Sequence, residues 1–239
     1  MNIAVIFAGG VGSRMNTNGT PKQFLCVHGK PILIFTLEHF QNNKNIDAIV
    51  VSCHKNYIEH CKSLIKTFGI TKVQMVIEGG ENGQASIYNG LKAAKEISKS
   101  DEDIVLIHDG VRPIIDSELI DSNIEGVKLH GSAITCVPAK ETIVIINKEN
   151  EIDSTTDRDS TRIARAPQSF YLTDILKVHE QAIKDGNTNV TDSCTLMRLY
   201  GKTLFTVLGK SENIKITTPD DYYVFKALLE AKENSIIFS

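Results

Sequence analysis

The chain has 239 residues, enough for one large α/β domain or two small ones whose core needs no disulfide or metal to hold it. With 41% hydrophobic and 23% charged residues it lies in the ordinary globular range, which argues against disorder, collagen-like repeats and coiled coil. Its 26 basic and 29 acidic residues give a net charge of -3, without the basic excess of a dedicated nucleic-acid binder, so a small-molecule partner is expected.

Short β-branched runs alternate with helical stretches along the first half of the chain. Strands are predicted at residues 3–7, 48–52, 73–77, 104–107 and 133–137. Helices are predicted at residues 32–40, 57–68, 86–97 and 117–129, and a last helix opens at Pro219. Continuous apolar strands separated by helices are typical of a buried parallel sheet. The sequence therefore predicts an α/β fold with a doubly wound, mainly parallel sheet and helices on both faces.

The pattern changes between residues 142 and 165. The run IVIINKENEI is typical of a hairpin that turns at residues 148–150, and the following TTDRDSTRIARAPQ is polar and short of core material. Such a segment inside a compact domain either projects as an arm or covers a site. We predict one domain over residues 1–239, with a projecting β-arm at about 139–168.

The amino-terminal MNIAVIFAGG lacks the basic region and long apolar run of a signal peptide, and no window reaches the roughly 18 apolar residues of a membrane span. We therefore expect a cytoplasmic protein with no membrane partner. The cysteines are odd in number and never spaced as CxxC, which favours reduced, mostly buried thiols over a disulfide framework or a zinc site. They are Cys26, Cys53, Cys61, Cys136 and Cys194.

A glycine-rich turn, FAGGVGSRM at 7–15, follows the first strand, and PKQF follows at 21–24. Glycines let backbone N–H groups approach phosphate oxygens, and Arg14 and Lys22 bring two positive charges to the same place. The sequence thus predicts a polyphosphate cradle. It is neither a Rossmann fingerprint, since Met15 stands where the last glycine is needed, nor a P-loop, since GxxxxGK[ST] does not occur.

Five motifs occur in order along the chain: GGxGxRM, PKQF, HDGVRP at 108–113, APQSF at 166–170 and NIKITTPDD at 213–221. Together they resemble the cytidylyltransferases that activate polyol phosphates, over essentially the whole chain. That family has one branch acting on ribitol 5-phosphate and another on 2-C-methyl-D-erythritol 4-phosphate. HDGVRP and ETIV at 141–144 are closer to the ribitol branch, whereas the Asp157-Arg158 pair is closer to the methylerythritol branch. We favour D-ribitol 5-phosphate and keep methylerythritol phosphate as the alternative.

The resemblance implies a CTP-dependent reaction with Mg²⁺ as cofactor, in which a substrate phosphate oxygen attacks the α-phosphorus and pyrophosphate leaves. Arg14 and Lys22 match the family's pair that stabilises the growing charge, a role that suits cations because such a transfer needs alignment and charge neutralisation. The residues implied to bind the nucleotide are Phe7, Ala8, Gly9, Gly10 and Gly12 in the first turn, and Gly80, Glu81 and Ser86 in GGENGQAS. Relatives usually carry an arginine near position 83 or 84, where this chain has Gly83 and Gln84.

HDGVRP follows a buried strand, so Asp109 and Arg112 should lie beside the nucleotide at the carboxyl edge of the sheet. Asp109 is the candidate for holding Mg²⁺ or a substrate hydroxyl, since Mg²⁺ takes one or two carboxylates plus phosphate oxygens and water. The alternative is that Asp109 and Arg112 form a pair that stabilises the turn. His108 is not expected to act as a general base, because a phosphate monoester is already anionic near neutral pH.

Arg158 and Lys215 match the family positions that hold the incoming polyol phosphate, and Thr142 matches a substrate contact. Arg158 lies in the predicted arm and Lys215 in NIKIT, read as a short strand, so a folded-back chain or a dimer partner must bring them together. In relatives the arm exchanges between two subunits, which implies a homodimer.

Two classes outside this family are alternatives. A sugar-1-phosphate or molybdopterin nucleotidyltransferase could use a similar glycine turn, but neither explains PKQF, APQSF and NIKIT together. A catalytically inactive scaffold is favoured only by the altered GGENGQAS stretch. Retained charges that converge on one cleft argue against it.

Overall fold

A computed structural model describes residues 1–10 and 20–237 of the chain. The described strands are β1 (Asn2–Ala8), β2 (Cys26–Val27), β3 (Lys30–Pro31), β4 (Ala48–Cys53), β5 (Val73–Glu78), β6 (Ile104–Asp109), β7 (Ser132–Pro138), β8 (Val144–Ile146), β9 (Ile152–Thr155), β10 (Arg162–Tyr171) and β11 (Thr206–Leu208). The described helices are α1 (Ile32–Asn42), α2 (Ile58–Thr67), α3 (Gly83–Ile97), α4 (Ser117–His130), α5 (Leu172–Lys184), α6 (Ser193–Leu199) and α7 (Pro219–Ile237).

Seven strands form the central sheet in the order β11-β7-β10-β6-β1-β4-β5. Parallel ladders join β6, β1, β4 and β5, and another joins β11 to β7. Strand β10 runs antiparallel to both of its neighbours, β6 and β7. The prediction of a mainly parallel sheet is confirmed, and β10 is its antiparallel member.

Helices cover both faces of the sheet. On one face, buried side chains of α1, α2 and α4 pack against β1, β4 and β6. On the other face, α3, α5 and α6 do the same. The six side chains predicted to be core from helical spacing are all buried: Leu33, Leu37, Phe40, Ile87, Leu91 and Ala94. No helix in the described ranges is both long enough and apolar enough to span a membrane.

Two local predictions need correction. Helix α3 begins at Gly83, three residues before the predicted start, because the Asn82 side chain accepts a hydrogen bond from the backbone N–H of Ala85 at 2.9 Å and caps it. The NIKIT segment at 213–217 is a loop rather than a strand. It lies against the 110–116 loop, where Ile216 donates one backbone hydrogen bond to Val111.

The predicted hairpin is present as the antiparallel pair β8 and β9, with Asn150 in the left-handed region at φ 62°. This hairpin, the loops on either side of it and the first residues of β10 form the arm. Its large apolar side chains are exposed: Val144, Ile145, Ile146, Ile152 and Ile163. The chain returns to the core at Ala166, which is buried.

Four strands of the sheet bring their carboxyl ends to one level. The ladders align Ala8 of β1 with Cys53 of β4, and Phe7 with Asp109 of β6. The backbone N–H of Gly79, directly after β5, donates to the carbonyl of Cys53 at 2.7 Å. The turns that follow these strands therefore meet at one edge of the sheet, where ligands of open α/β sheets bind.

Candidate active site

A cleft of about 770 Å³ opens at this edge. It is lined by residues that follow β1, β4, β5 and β6, together with one residue of the 213–217 loop. Its lining residues are Phe7, Ala8, Gly9, Gly10, Lys22, Gln23, His54, Lys55, Glu78, Gly79, Gly80, Glu81, Asn82, Gly83, Ser86, Asp109, Val111 and Lys215. The structure thus gathers most of the residues predicted for nucleotide binding into one site.

The turn after β1 forms one wall of the cleft. Lys22 lies half-buried in a single helical turn, Lys22–Phe24, and faces the same space as Gly9 and Gly10. Buried Gln23 holds this turn in place, because its side-chain amide donates to the carbonyl of Ala8 at 2.7 Å. The predicted residues Gly12 and Arg14 lie outside the described residues.

The turn between β5 and α3 packs closely against the turn after β1. The hydroxyl of Ser86 donates to the carbonyl of Asn82 at 2.8 Å and accepts from the N–H of Gly80 at 3.0 Å. A Cβ on Gly9 would come within 3.1 Å of that hydroxyl, and one on Gly80 would overlap Ala85. Close packing therefore requires glycine at position 80 and leaves little room for a Cβ at position 9. Ser86 is buried and its hydroxyl holds this turn together, whereas the cap of α3 is Asn82.

The position where an arginine was expected carries out a different task. Gln84 is buried and clamps the 187–190 loop, since its amide donates to the carbonyl of Asn187 and accepts from the N–H of Val190, both at 2.7 Å. Gly83, by contrast, faces the cleft and leaves open space around a would-be Cβ. Helix α3 therefore presents backbone rather than a cation to the nucleotide pocket.

Asp109 is the charged centre of the part of the cleft at the end of β6. Its Oδ1 lies 2.5 Å from the Lys215 ammonium and its Oδ2 2.8 Å from Arg112 Nε. Burial opposes ionisation of this carboxyl, but Lys215 and Arg112 outweigh it and lower the pKa of Asp109 to about 2. The predicted pair with Arg112 therefore exists, and the same carboxylate also positions Lys215 in the cleft.

Asn213 fixes the loop that carries Lys215. Its backbone carbonyl accepts from Arg112 at 2.9 Å and from Arg165 at 2.5 Å. Its buried side chain donates to the carbonyl of Ala166 at 2.6 Å. The HDGVRP, APQSF and NIKIT motifs are thus joined by direct contacts around one buried residue.

His108 has a structural position behind this part of the cleft. It is fully buried, its Nε2 lies 3.1 Å from the carbonyl of Arg112, and its ring contacts Phe40 edge-on. Burial lowers the pKa of His108 to about 4, so the imidazole is neutral at physiological pH and donates its Nε2 proton to that carbonyl. The side chain supports the HDGVRP turn.

Arg158 and Thr142 lie together on the arm, away from the cleft lining of their own chain. Both side chains are exposed, and the Arg158 guanidinium donates to the Thr142 hydroxyl at 3.3 Å. The structure therefore brings Lys22, Asp109 and Lys215 together within one chain, but it does not bring Arg158 to them.

Several site residues were missed from the sequence. Gln23 and Asn213 lie inside the recognised motifs and Arg165 directly precedes APQSF, but their contacts depend on the folded chain. His54 and Lys55 offered a weaker signal, because they directly follow the apolar run of β4 and so belong to the carboxyl edge of the sheet. Lys55 adds a third lysine to the described cleft lining, beside Lys22 and Lys215.

The site has the chemistry of a polyphosphate pocket: exposed backbone at a glycine turn and a helix start, with lysines in its lining. Together with comparisons to known proteins, it defines the chain as a nucleotidyltransferase, and specifically a cytidylyltransferase. A family model described as "IspD: 2-C-methyl-D-erythritol 4-phosphate cytidylyltransferase" matches residues 2–231. The chain belongs to this family.

Individual relatives are similar over their full length. A ribitol-5-phosphate cytidylyltransferase of Streptococcus agalactiae serotype V is 55% identical, covering 100% of this chain and 99% of that protein. A 2-C-methyl-D-erythritol 4-phosphate cytidylyltransferase of Clostridium novyi is 39% identical, covering 96% of each. The crystal structure of 4-diphosphocytidyl-2C-methyl-D-erythritol synthase from Anaerococcus prevotii matches with a TM-score of 0.83 and 27% identity, covering 96% of each chain. The predicted family and fold are confirmed.

Proposed function

We propose that this protein transfers the cytidylyl group of CTP to D-ribitol 5-phosphate, giving CDP-ribitol and pyrophosphate. The higher identity to the streptococcal ribitol-5-phosphate enzyme than to the methylerythritol enzyme is the observation that carries the choice of substrate. The lysine-lined cleft supports the reaction type, since it offers a place for a polyphosphate at the carboxyl edge of the sheet.

In this reaction a phosphate oxygen of the polyol phosphate attacks the α-phosphorus of CTP. A new P–O bond forms as the bond from the α-phosphorus to the bridging oxygen breaks, and the electron pair leaves with pyrophosphate. No proton transfer is needed, because the attacking phosphate is already anionic. The protein therefore acts mainly by aligning the two phosphates and neutralising the charge that grows on the equatorial oxygens.

Lys22 and Lys215 both line the cleft and serve this neutralisation, with Arg14 as a further predicted cation. Lys215 is held in place by Asp109, so its ammonium is positioned before substrate arrives. A pre-positioned charge needs little reorganisation during the reaction, which is why this arrangement favours transfer over simple binding.

Mg²⁺ is proposed as the cofactor, bound mainly by phosphate oxygens. Among the described residues no group of three His, Cys, Asp or Glu side chains gathers to hold a metal. A single carboxylate suits Mg²⁺, which commonly takes one or two carboxylates and fills its shell with phosphate oxygens and water. Asp109 is the buried carboxylate of the cleft. Because its two oxygens already pair with Lys215 and Arg112, it would hold the ion through their remaining lone pairs. When bound, the ion would neutralise charge on the triphosphate.

A homodimer formed through the arm is proposed to complete the site. The arm exposes five large apolar side chains, a cluster that favours burial against another protein surface. Arg158 and Thr142 lie on the same arm, outside the cleft of their own chain. If the arm of a second copy reaches this cleft, its Arg158 would lie near Lys215, and both side chains would bind the polyol phosphate.

We place the reaction in the cytoplasm, where CTP is available, and we place its product in teichoic acid or capsule polymer synthesis. CDP-ribitol is an activated donor of ribitol phosphate, so a polymer-forming transferase is the step that would consume it.

The experiment is pyrophosphate release with CTP and Mg²⁺, run in parallel with D-ribitol 5-phosphate and with 2-C-methyl-D-erythritol 4-phosphate, and repeated with EDTA. Release with ribitol phosphate that stops with EDTA is the expected result. Release with the methylerythritol compound alone would assign the protein to isoprenoid synthesis, the alternative that the matched family model favours. If neither polyol phosphate gave pyrophosphate release, the result would contradict the proposed activity.

A further inference from the structure

Two single helical turns, Lys22–Phe24 and Lys55–Tyr57, carry a lysine each into the same end of the cleft. They are packed together by their aromatic residues. The rings of Phe24 and Tyr57 stack with centroids 5.3 Å apart, and the Tyr57 ring also contacts His54 edge-on at 5.9 Å. The position of Lys55 is therefore tied to that of Lys22 by a buried side chain, since Phe24 is 6% exposed.

The backbone before Lys55 is also fixed. His54 caps the turn, because its Nδ1 accepts from the N–H of Asn56 at 3.2 Å and its carbonyl accepts from the N–H of Tyr57 at 2.9 Å. The aligned pair Ala8 and Cys53 places His54 and Lys55 level with Gly9 and Gly10. Lys55 thus leaves the sheet beside the glycine turn, one strand away from it.

The Lys55 ammonium has no ion-pair or hydrogen-bond partner within the part of the chain that the structure describes. Lys215, in contrast, is paired with Asp109, and nearby Lys62 is paired with Glu59 at 2.8 Å on α2. Lys55 lines the cleft of about 770 Å³ and pairs with no acidic side chain among the described residues. Such a lysine is suited to bind an anionic ligand.

The in-line geometry of the transfer indicates which part of the ligand Lys55 contacts. Asp109 ends β6 and holds Lys215 on one side of β1, whereas Lys55 follows β4 on the other side. Attacking and leaving oxygens stand in line across the α-phosphorus. A polyol phosphate held on the β6 side therefore drives the leaving pyrophosphate toward the β4 side.

We propose that Lys55 binds the β- and γ-phosphates of CTP and, after transfer, the pyrophosphate product. This rests on the proposed function. The non-bridging oxygens of these phosphates are already charged in the bound substrate, so most of the contact forms before the transition state. Lys55 is therefore a binding residue, which affects KM more than kcat. Lys55 would also explain how the pocket compensates for Gly83, which offers no side-chain cation from α3.

The test compares wild type with Lys55→Ala, Lys55→Arg and the matched control Lys62→Ala in calorimetric titrations with CTP, CMP and inorganic pyrophosphate. For Lys55→Ala we expect affinity for CTP and pyrophosphate to fall about five- to tenfold, the range for losing one partly exposed charged contact. Affinity for CMP should change less than about twofold, because CMP lacks the two outer phosphates. Lys55→Arg should retain most of the affinity, and Lys62→Ala all of it.

Steady-state pyrophosphate release should show a matching rise in KM for CTP with kcat nearly unchanged. Equal losses for CMP and CTP would overturn the proposal, since Lys55 would then contact the α-phosphate, ribose or base. Unchanged CTP binding by Lys55→Ala would overturn it as well, while leaving the proposed function intact. A wild-type protein that binds no CTP would count against the proposed function itself.

Discussion

Lys215 places its ammonium 2.5 Å from Oδ1 of Asp109, a residue 106 positions earlier in the chain. Asp109 is 5% exposed and is shared between Lys215 and Arg112, so the carboxylate sets the position of both cations. Because these two charges outweigh the effect of burial and keep the pKa of Asp109 near 2, the arrangement persists throughout the physiological pH range. The site is thus electrostatically organised before any substrate binds.

Lys215→Ala is expected to lower kcat/KM by on the order of a hundredfold in the pyrophosphate-release assay, because it removes a pre-positioned charge at the reacting phosphates. The matched control is Lys202→Ala, which changes an exposed lysine outside the cleft lining. A loss of less than about twofold for Lys215→Ala would mean that its pairing with Asp109 has no catalytic consequence.

Asp109→Asn is expected to reduce stability. A pKa lowered from 3.8 to about 2 corresponds to roughly 2 kcal/mol of stabilisation above pH 4, since the folded state favours the ionised carboxyl. That contribution is lost as the pH falls from about 4 toward 2. Urea unfolding at pH 7 should therefore show the full reduction in the free energy of unfolding for Asp109→Asn. Below pH 4 the difference in free energy between Asp109→Asn and wild type should become smaller. A difference independent of pH would assign the effect to packing rather than charge.

Lys22→Ala is expected to lower kcat more than it raises KM for CTP, because Lys22 is proposed to neutralise charge that grows in the transition state. The exposed Lys44, which lies outside the cleft lining, provides the control substitution Lys44→Ala. Steady-state kinetics with varied CTP separates the two parameters. A rise in KM with kcat intact would place Lys22 among ground-state binding residues, as proposed for Lys55.

The sheet could be predicted well from sequence because its strands are continuous apolar runs and its helices carry regular apolar faces. NIKIT shows where such local patterns are misleading. Ile214 and Ile216 alternate with polar residues as in a strand, but Ile216 instead packs into a cluster with Val27, Ile32, Val111 and Phe225. Within the described residues, Ile216 makes one backbone hydrogen bond to the neighbouring loop, at Val111, and no ladder. Backbone hydrogen bonding to a neighbouring strand, rather than the alternation of apolar and polar residues, decides whether a segment forms a strand.

The candidate site was predictable where a residue type is itself informative, as at the glycine turn and at Asp109. Lys55 carries no such signal, because one lysine after one strand is ordinary until the fold places it beside Lys22 in the cleft. The antiparallel direction of β10 was also beyond local pattern, since it depends on how the arm returns the chain to the sheet. Long-range placement accounts for what the sequence alone could not indicate.

Arg158→Ala is expected to raise KM for the polyol phosphate more than KM for CTP, because Arg158 is proposed to hold the polyol phosphate of a partner's cleft. The shared site also predicts complementation. If Arg158→Ala and Lys215→Ala proteins exchange subunits, some clefts regain both residues, so a mixture should be more active than either variant alone. Light scattering should show dimers throughout. Equal effects on both substrates, or no gain on mixing dimers that do exchange, would contradict a site shared through the arm.

His179→Leu is expected to make the protein more resistant to acid. His179 is 1% exposed, neither ring nitrogen has a hydrogen-bond partner in the described part of the chain, and its ring stacks on Tyr88 at 5.7 Å. Burial lowers the pKa of His179 to about 4, so the unfolded state, with a pKa near 6.5, takes up the proton first as pH falls. Wild-type stability is then complete above pH 6.5 and declines toward pH 4, and this residue alone removes about 2 kcal/mol between pH 7 and pH 5. Buried His108 adds a similar decline in both proteins.

Urea unfolding at pH 7 and at pH 5 measures this difference. The free energy of unfolding should fall by about 2 kcal/mol less in His179→Leu than in wild type. Equal losses would mean that His179 becomes protonated, or hydrated, without leaving its place between α3 and α5.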